Sequence, residues 1–209
     1  MESPVKAGVI GAVPDLQRKA GPQLNQGTTA LVPPFYCCNL SMVVYLPIED
    51  WAMTREEKFM QEAINLSQNG MNNNEGGPFG CVIVKGDEII GRGNNKVMCN
   101  NDPTAHAEVV AIRDACKNLG SFQLDECEIY TSCEPCPMCL GAIYWARPKL
   151  VYYANNREDA AGIGFDDSMI YEEMKVEIGD RKIPIISLSR NEALKIFNEW
   201  TRKADKNVY

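Results

Sequence analysis

The sequence is poor in several features that would each have pointed elsewhere. Its 209 residues hold no apolar run near the roughly 18 that a membrane span requires. The longest apolar stretch near the start, MVVYL, is too short for the core of a secretory signal and lacks a basic flank. Positive charge is scarce: 21 Lys and Arg against 28 Asp and Glu leave a net charge of −7. A duplex or tRNA binder usually carries a basic footprint, so neither nucleic acid nor a membrane is expected as a partner. There is no internal repeat, and histidine is nearly absent, His106 standing alone. The remaining composition, 45% apolar and 23% charged, is that of an ordinary globular chain with one core. A cytoplasmic protein is the expectation.

Cysteine, by contrast, is plentiful. Nine of them, an odd number, are scattered through a chain without a secretion signal, which favours reduced thiols and metal binding over disulfides. Three fall within seven residues of TSCEPCPMCLG: Cys133, Cys136 and Cys139. Three readings fit such a cluster: part of a disulfide framework, a structural zinc knuckle, or a catalytic metal site.

Residues 1–52 are rich in Pro, Gly, Gln and Asn, without a sustained period, and read as an irregular or disordered N-terminal extension. Residues 53–209 read as one domain. Thr54 and Glu57 form a capping box for a helix with Phe59, Met60, Ala63, Ile64 and Ser67 on one face, ending at Gly70. CVIVK and EIIGRG flank Gly86-Asp87 as a hairpin. Next come a helix over about 104–118, the strand CEIYTS, a helix over about 136–146 and the strand KLVYYA. IPIISL reads as a fifth strand and RNEALKIFNEWTRKA as a last amphipathic helix. This alternation predicts an α/β fold, a three-layer α/β/α sandwich with a mixed five-stranded sheet.

The chemistry concentrates at two helix starts. His106 and Glu108 of PTAHAEVVAI are expected in the first turn of one helix, and Cys136 and Cys139, at i and i+3, in the first turn of the other. Zinc takes imidazole nitrogen and thiolate sulfur in tetrahedral geometry. A helix N-terminus favours negative charge and lowers a thiol pKa, so both cysteines suit thiolate ligation. A structural site closes with a fourth protein ligand, whereas a catalytic one leaves that place to water. Cys133 precedes the turn at Pro135 and is expected off the helix face. Glu108 then fits a general acid/base beside the metal, although a first-turn Glu is also favoured by the helix dipole alone. H-x-E followed by P-C-x-x-C is the pattern of zinc-dependent nucleobase deaminases, in which the Glu is not a ligand.

These residues, HAE and PCPMC, lie within longer stretches: GGPFG, NDPTAHAEVVAIR, YTSCEPCPMCLGAIYWARPK, GFDDSMIYEE and the terminal Tyr209. On them the chain resembles the cytidine-deaminase-like superfamily and, within it, bacterial guanine deaminases, from about Thr54 onward. Residues 1–52 have no counterpart in that pattern. The resemblance implies a cytidine-deaminase-like fold with one Zn2+ per subunit on His106, Cys136 and Cys139, and Glu108 as proton shuttle. It further implies purine contacts from Asn95 and Asp167, aromatic walls from Phe79 and Trp145, and a homodimer with exchanged C-terminal segments in which Tyr209 closes a neighbour's site. The implied activity is hydrolysis of guanine, a small-molecule purine base, to xanthine and ammonia, a step of purine catabolism. Plainer roles stand beside these: a turn for Asn95, core packing for Phe79 and Trp145, a helix cap for Asp167. Alternative functions are deamination of guanosine, cytosine or tRNA adenosine, or, from another class, a non-enzymatic zinc-stabilised module.

Overall fold

The computed structural model describes residues 53–208. The expected N-terminal extension and the role given to Tyr209 lie outside the described residues. Helix α1, Arg55–Asn72, begins as its sequence dictates: the Thr54 hydroxyl accepts from Glu57 N at 3.2 Å, and the Glu57 carboxylate accepts from Thr54 N at 2.8 Å. Strands β1, Gly80–Lys85, and β2, Glu88–Asn94, form the expected antiparallel hairpin. Its turn places Gly86 at φ 61°, a left-handed conformation that glycine adopts without steric cost. A single helical turn, α2 (Val97–Asn100), comes next, then helix α3, Ala107–Leu119, closed by Gly120. Strand β3, Cys127–Cys133, helix α4, Pro137–Ala146, and strand β4, Leu150–Asn155, complete the central unit. Helices α5 (Arg157–Gly162), α6 (Ser168–Lys175) and α7 (Arg190–Arg202) follow.

The sheet order is β2-β1-β3-β4, with β1 antiparallel to both neighbours and β3 parallel to β4. The sheet is mixed, as expected, but among the described residues it has four strands rather than five. IPIISL is not a strand. Pro184 removes a ladder donor near the start of the run, and Ile183, Ile186 and Leu188 are largely exposed, so among the described residues the segment has neither a pairing strand nor a core to face.

Two layers of helix cover the sheet. On one face, Ala63 of α1 packs with Val82, Val84 and Tyr130. On the other, Ala107, Ala111 and Ala115 of α3 and Ile143 and Ala146 of α4 pack on Cys81, Ile83, Cys127 and Ile129. Burying each large aliphatic side chain contributes about 1.5–3 kcal/mol. The α3 contact is close because both surfaces are shaved. A Cβ placed on Gly93 would lie 2.2 Å from the Ala107 carbonyl oxygen, and one on Gly91 would lie 2.6 Å from that of Ala111. Helix and strand thus meet backbone to backbone, which fixes the start of α3 relative to the sheet. Among the described residues no helix is long and apolar enough to cross a membrane.

Gly93→Ala is expected to lower stability by about 1–3 kcal/mol through overpacking at this contact, read as a lower thermal midpoint of the zinc-loaded protein.

Candidate active site

The starts of α3 and α4 converge near the carboxyl end of β3, and the convergence differs by one residue from the sequence expectation. His106 and Cys136 are not in the first turns. They are the N-caps, with φ,ψ of −69°,157° and −63°,167°. The His106 side chain makes no capping bond to its own helix and lies against the Cys136 sulfur, which also contacts Cys139 of α4. Pro137 opens α4 with its fixed φ, and Cys139 follows at the third helical position. Nδ1 of His106 lies 3.5 Å from the sulfur of Cys136 and 3.5 Å from that of Cys139. All three ligand atoms fall within 4.8 Å of one another.

The trio's electrostatics suit a cation. The Cys136 thiol is drawn down to about 4, first by a hydrogen bond from Cys139 and then by His106. Cys139 is pushed up by that same bond and by its burial, while His106 is raised by its contact with Cys136. Opposed shifts on the two sulfurs mark them as coupled, and binding a metal would release the protons they carry. One imidazole nitrogen and two thiolates form a donor set that fits zinc.

Glu108 is buried beside this cluster, 6% exposed. Its Oε2 accepts from Cys139 Sγ at 3.3 Å and its Oε1 from Thr131 Oγ1 at 3.2 Å. Burial raises its carboxyl above the ordinary range. Cys133, as expected, stands apart: its thiol donates to the Asn156 carbonyl at 3.6 Å, and burial pushes it up to about 11. Identical side chains within seven residues are thus shifted in opposite directions by their surroundings.

The expected substrate contacts are placed unevenly. Asn95 is buried, and its Oδ1 accepts from Val97 N at 3.2 Å. Because a backbone N–H can only donate, the amide atom facing it is the oxygen, which leaves the NH2 as the group available to a ligand. The Asn95 N–H donates to the Phe79 carbonyl at 3.0 Å, tying the two residues together. Phe79 meets Phe165 edge to face at 4.9 Å. Asp167 occupies the N-cap position of α6 without capping it, since Ser168 N donates to Asp166 Oδ1 at 2.9 Å. The Asp167 carboxyl is raised by burial first and then by the Cys136 sulfur, which marks its nearness to the trio. Trp145 is 66% exposed on α4. Two residues of this region were not anticipated. Thr131 was legible as the hydroxyl in a strand row that is otherwise apolar or sulfur-bearing, Cys127, Ile129 and Cys133. Phe165 was legible only as the aromatic preceding the acidic pair.

Residues 53–155 match the family model of the cytidine and deoxycytidylate deaminase zinc-binding region. Guanine deaminase of Bacillus subtilis (strain 168) is 56% identical over 153 residues, covering 73% of this chain and 98% of that protein. The X-ray structure of guanine deaminase from Bacillus subtilis superposes with a TM-score of 0.72 at 55% identity, covering 75% of this chain and 99% of that one. The tRNA-specific adenosine deaminase of Streptococcus pyogenes serotype M18 is 39% identical over 109 residues, covering 52% of this chain and 68% of that protein.

Cys136→Ser and Cys139→Ser should each abolish stoichiometric zinc in the purified protein by atomic emission, while Cys133→Ser retains it. Zinc uptake at neutral pH should release protons, detectable with an indicator dye, and affinity should fall as pH falls because protons compete for the sulfurs.

Proposed function

Because the chain belongs to the cytidine and deoxycytidylate deaminase family, with guanine deaminase among its relatives, we propose that it hydrolyses guanine to xanthine and ammonia in the cytoplasm. The observation that carries this reading is the trio of His106, Cys136 and Cys139 with the buried Glu108 against it, in a chain 56% identical to a guanine deaminase over nearly all of that protein's length. The trio would hold one zinc ion per subunit, which supplies the activation of a water for nucleophilic attack. Glu108 accepts the water proton and passes it to the ring nitrogen beside the amine-bearing carbon. Once the water oxygen is bonded to that carbon, Glu108 takes the remaining proton of the added hydroxyl and delivers it to the amine, and the C–N bond breaks to leave a ring carbonyl and ammonia.

Specificity follows from what the chain offers a purine. The Asn95 NH2 is a donor held in place by Val97, suited to an acceptor on the ring. Asp167 accepts, and guanine presents donors, its ring N–H and amino group. A site that accepts such donors penalises bases that lack them. Phe79, steadied by Phe165, and Trp145 supply aromatic walls.

The deaminase domain is residues 53–209, and two copies form its active unit. Ile183, Ile186 and Leu188 are exposed, as are Ile196 and Phe197 of α7, a helix with no buried residue. A second copy covers such an apolar surface through an exchanged C-terminal segment, whose Tyr209 would close the neighbour's pocket. The acidic net charge of −7 argues against tRNA as substrate.

Ammonia release from guanine, guanosine, adenine, cytosine and cytidine should be fastest for guanine; equal turnover of cytosine or adenine would refute the assignment. Glu108→Gln should keep zinc and fold yet lower kcat by about a hundredfold to ten-thousandfold, whereas a structural zinc module would show no such loss. Removing Lys206 to Tyr209 should impair guanine turnover without loss of metal, and sedimentation should report a dimer for the full chain.

A further inference from the structure

Thr131 sits on β3 in the row that faces α3 and α4. Cys127 and Ile129 precede it in that row and belong to the apolar core, and Thr131 itself is 1% exposed. Valine has nearly the same shape, so packing alone does not call for a hydroxyl there. A buried hydroxyl is costly unless it finds a partner. The partner is Glu108, whose Oε1 accepts from Thr131 Oγ1 at 3.2 Å.

We propose that Thr131 is a positioning residue for the proton shuttle: its hydroxyl fixes Glu108 Oε1, so that Oε2 is the oxygen turned toward the ligand trio and the substrate. The proposal rests on the Glu108 role argued above. Two features make Thr131 a rigid donor. It lies on an interior strand, opposite Cys81 of β1 and Tyr153 of β4, so its backbone is held from both sides. Its branched Cβ also restricts the first side-chain torsion. Glu108, by contrast, reaches the cluster through a long side chain that needs an anchor. Its other side-chain donor among the described residues is the Cys139 thiol, at Oε2. A cysteine that ligates a metal does so as thiolate and no longer donates. In the loaded protein the Thr131 hydroxyl therefore remains as the side-chain donor to the carboxylate, beside the N–H of Glu108 itself, and it holds Oε1.

The test compares Thr131→Val, Thr131→Ser and Thr131→Ala with the wild type and Glu108→Gln, all zinc-loaded, reading zinc content, thermal midpoint, and kcat and KM for guanine. Loss of a buried hydrogen bond to a charged group should lower kcat of the Val and Ala variants by about tenfold or more, at unchanged KM and zinc content. The Ser variant should retain most of the activity. If the Val variant does not fold, the Ser and Ala variants, which differ by one oxygen, decide the matter. Unaltered kcat in Val or Ala, an equal loss in Ser and Ala, or a loss that tracks zinc content would each overturn the proposal. An inactive Glu108→Gln beside a fully active Thr131→Val would defeat only the Thr131 assignment. An active Glu108→Gln would defeat the shuttle role itself and the assignment built on it.

Discussion

The site depends on where two helices are made to start. His106 and Cys136 occupy equivalent cap positions with nearly the same backbone angles, and each leaves its helix uncapped by its own side chain. An ordinary N-cap residue would turn its side chain inward onto the backbone N–H groups. Imidazole and thiol here turn outward and meet. The convergence is enforced by packing remote from it: the alanine row of α3 against the glycines of β2, and α4 against the same sheet face. Helix placement and ligand geometry are one constraint.

The second determinant is burial, which sorts chemically similar groups into different roles. Cys133, Cys136 and Cys139 differ little in sequence position, yet burial pushes the Cys133 thiol up beside the Asn156 carbonyl while Cys136 is drawn down by its contacts with Cys139 and His106. Glu108, in contact with Cys139, and Asp167, whose carboxyl is raised in part by the Cys136 sulfur, are likewise both carboxylates. Glu108 is enclosed against the sheet by Thr131 and Cys139, whereas Asp167 stands at a helix start with its capping duty taken over by Asp166. The two carboxylates thus differ in enclosure, as the separate roles proposed for them require.

Much of this was legible in the sequence wherever a short-range rule governs. The Thr54–Glu57 box, the turn at Gly86 and the strands on either side of α4 follow from residues close together in the chain. That His106, Cys136 and Cys139 come together was legible because residue type and spacing both carry information. Longer-range facts were not. The apolar run at 183–188 has strand composition, but no described strand pairs with it and Pro184 breaks its donor row. The one-residue displacement of His106 and Cys136 to cap positions falls within the usual imprecision of helix boundaries. The short helices α2 and α5 are too brief to show a period, although Asn156 and Asp159 do form a capping box. Asp167 has a cap's position and a cap's residue type, and only the hydrogen bond to Asp166 reveals that it is not one.

The solitary histidine has a practical meaning. Since the chain contains one imidazole and that ring faces the two cysteine sulfurs, every imidazole resonance in a magnetic-resonance spectrum belongs to this one locus. The molecule carries its own single-site reporter, and the state of the centre can be followed without labels, probes or added residues.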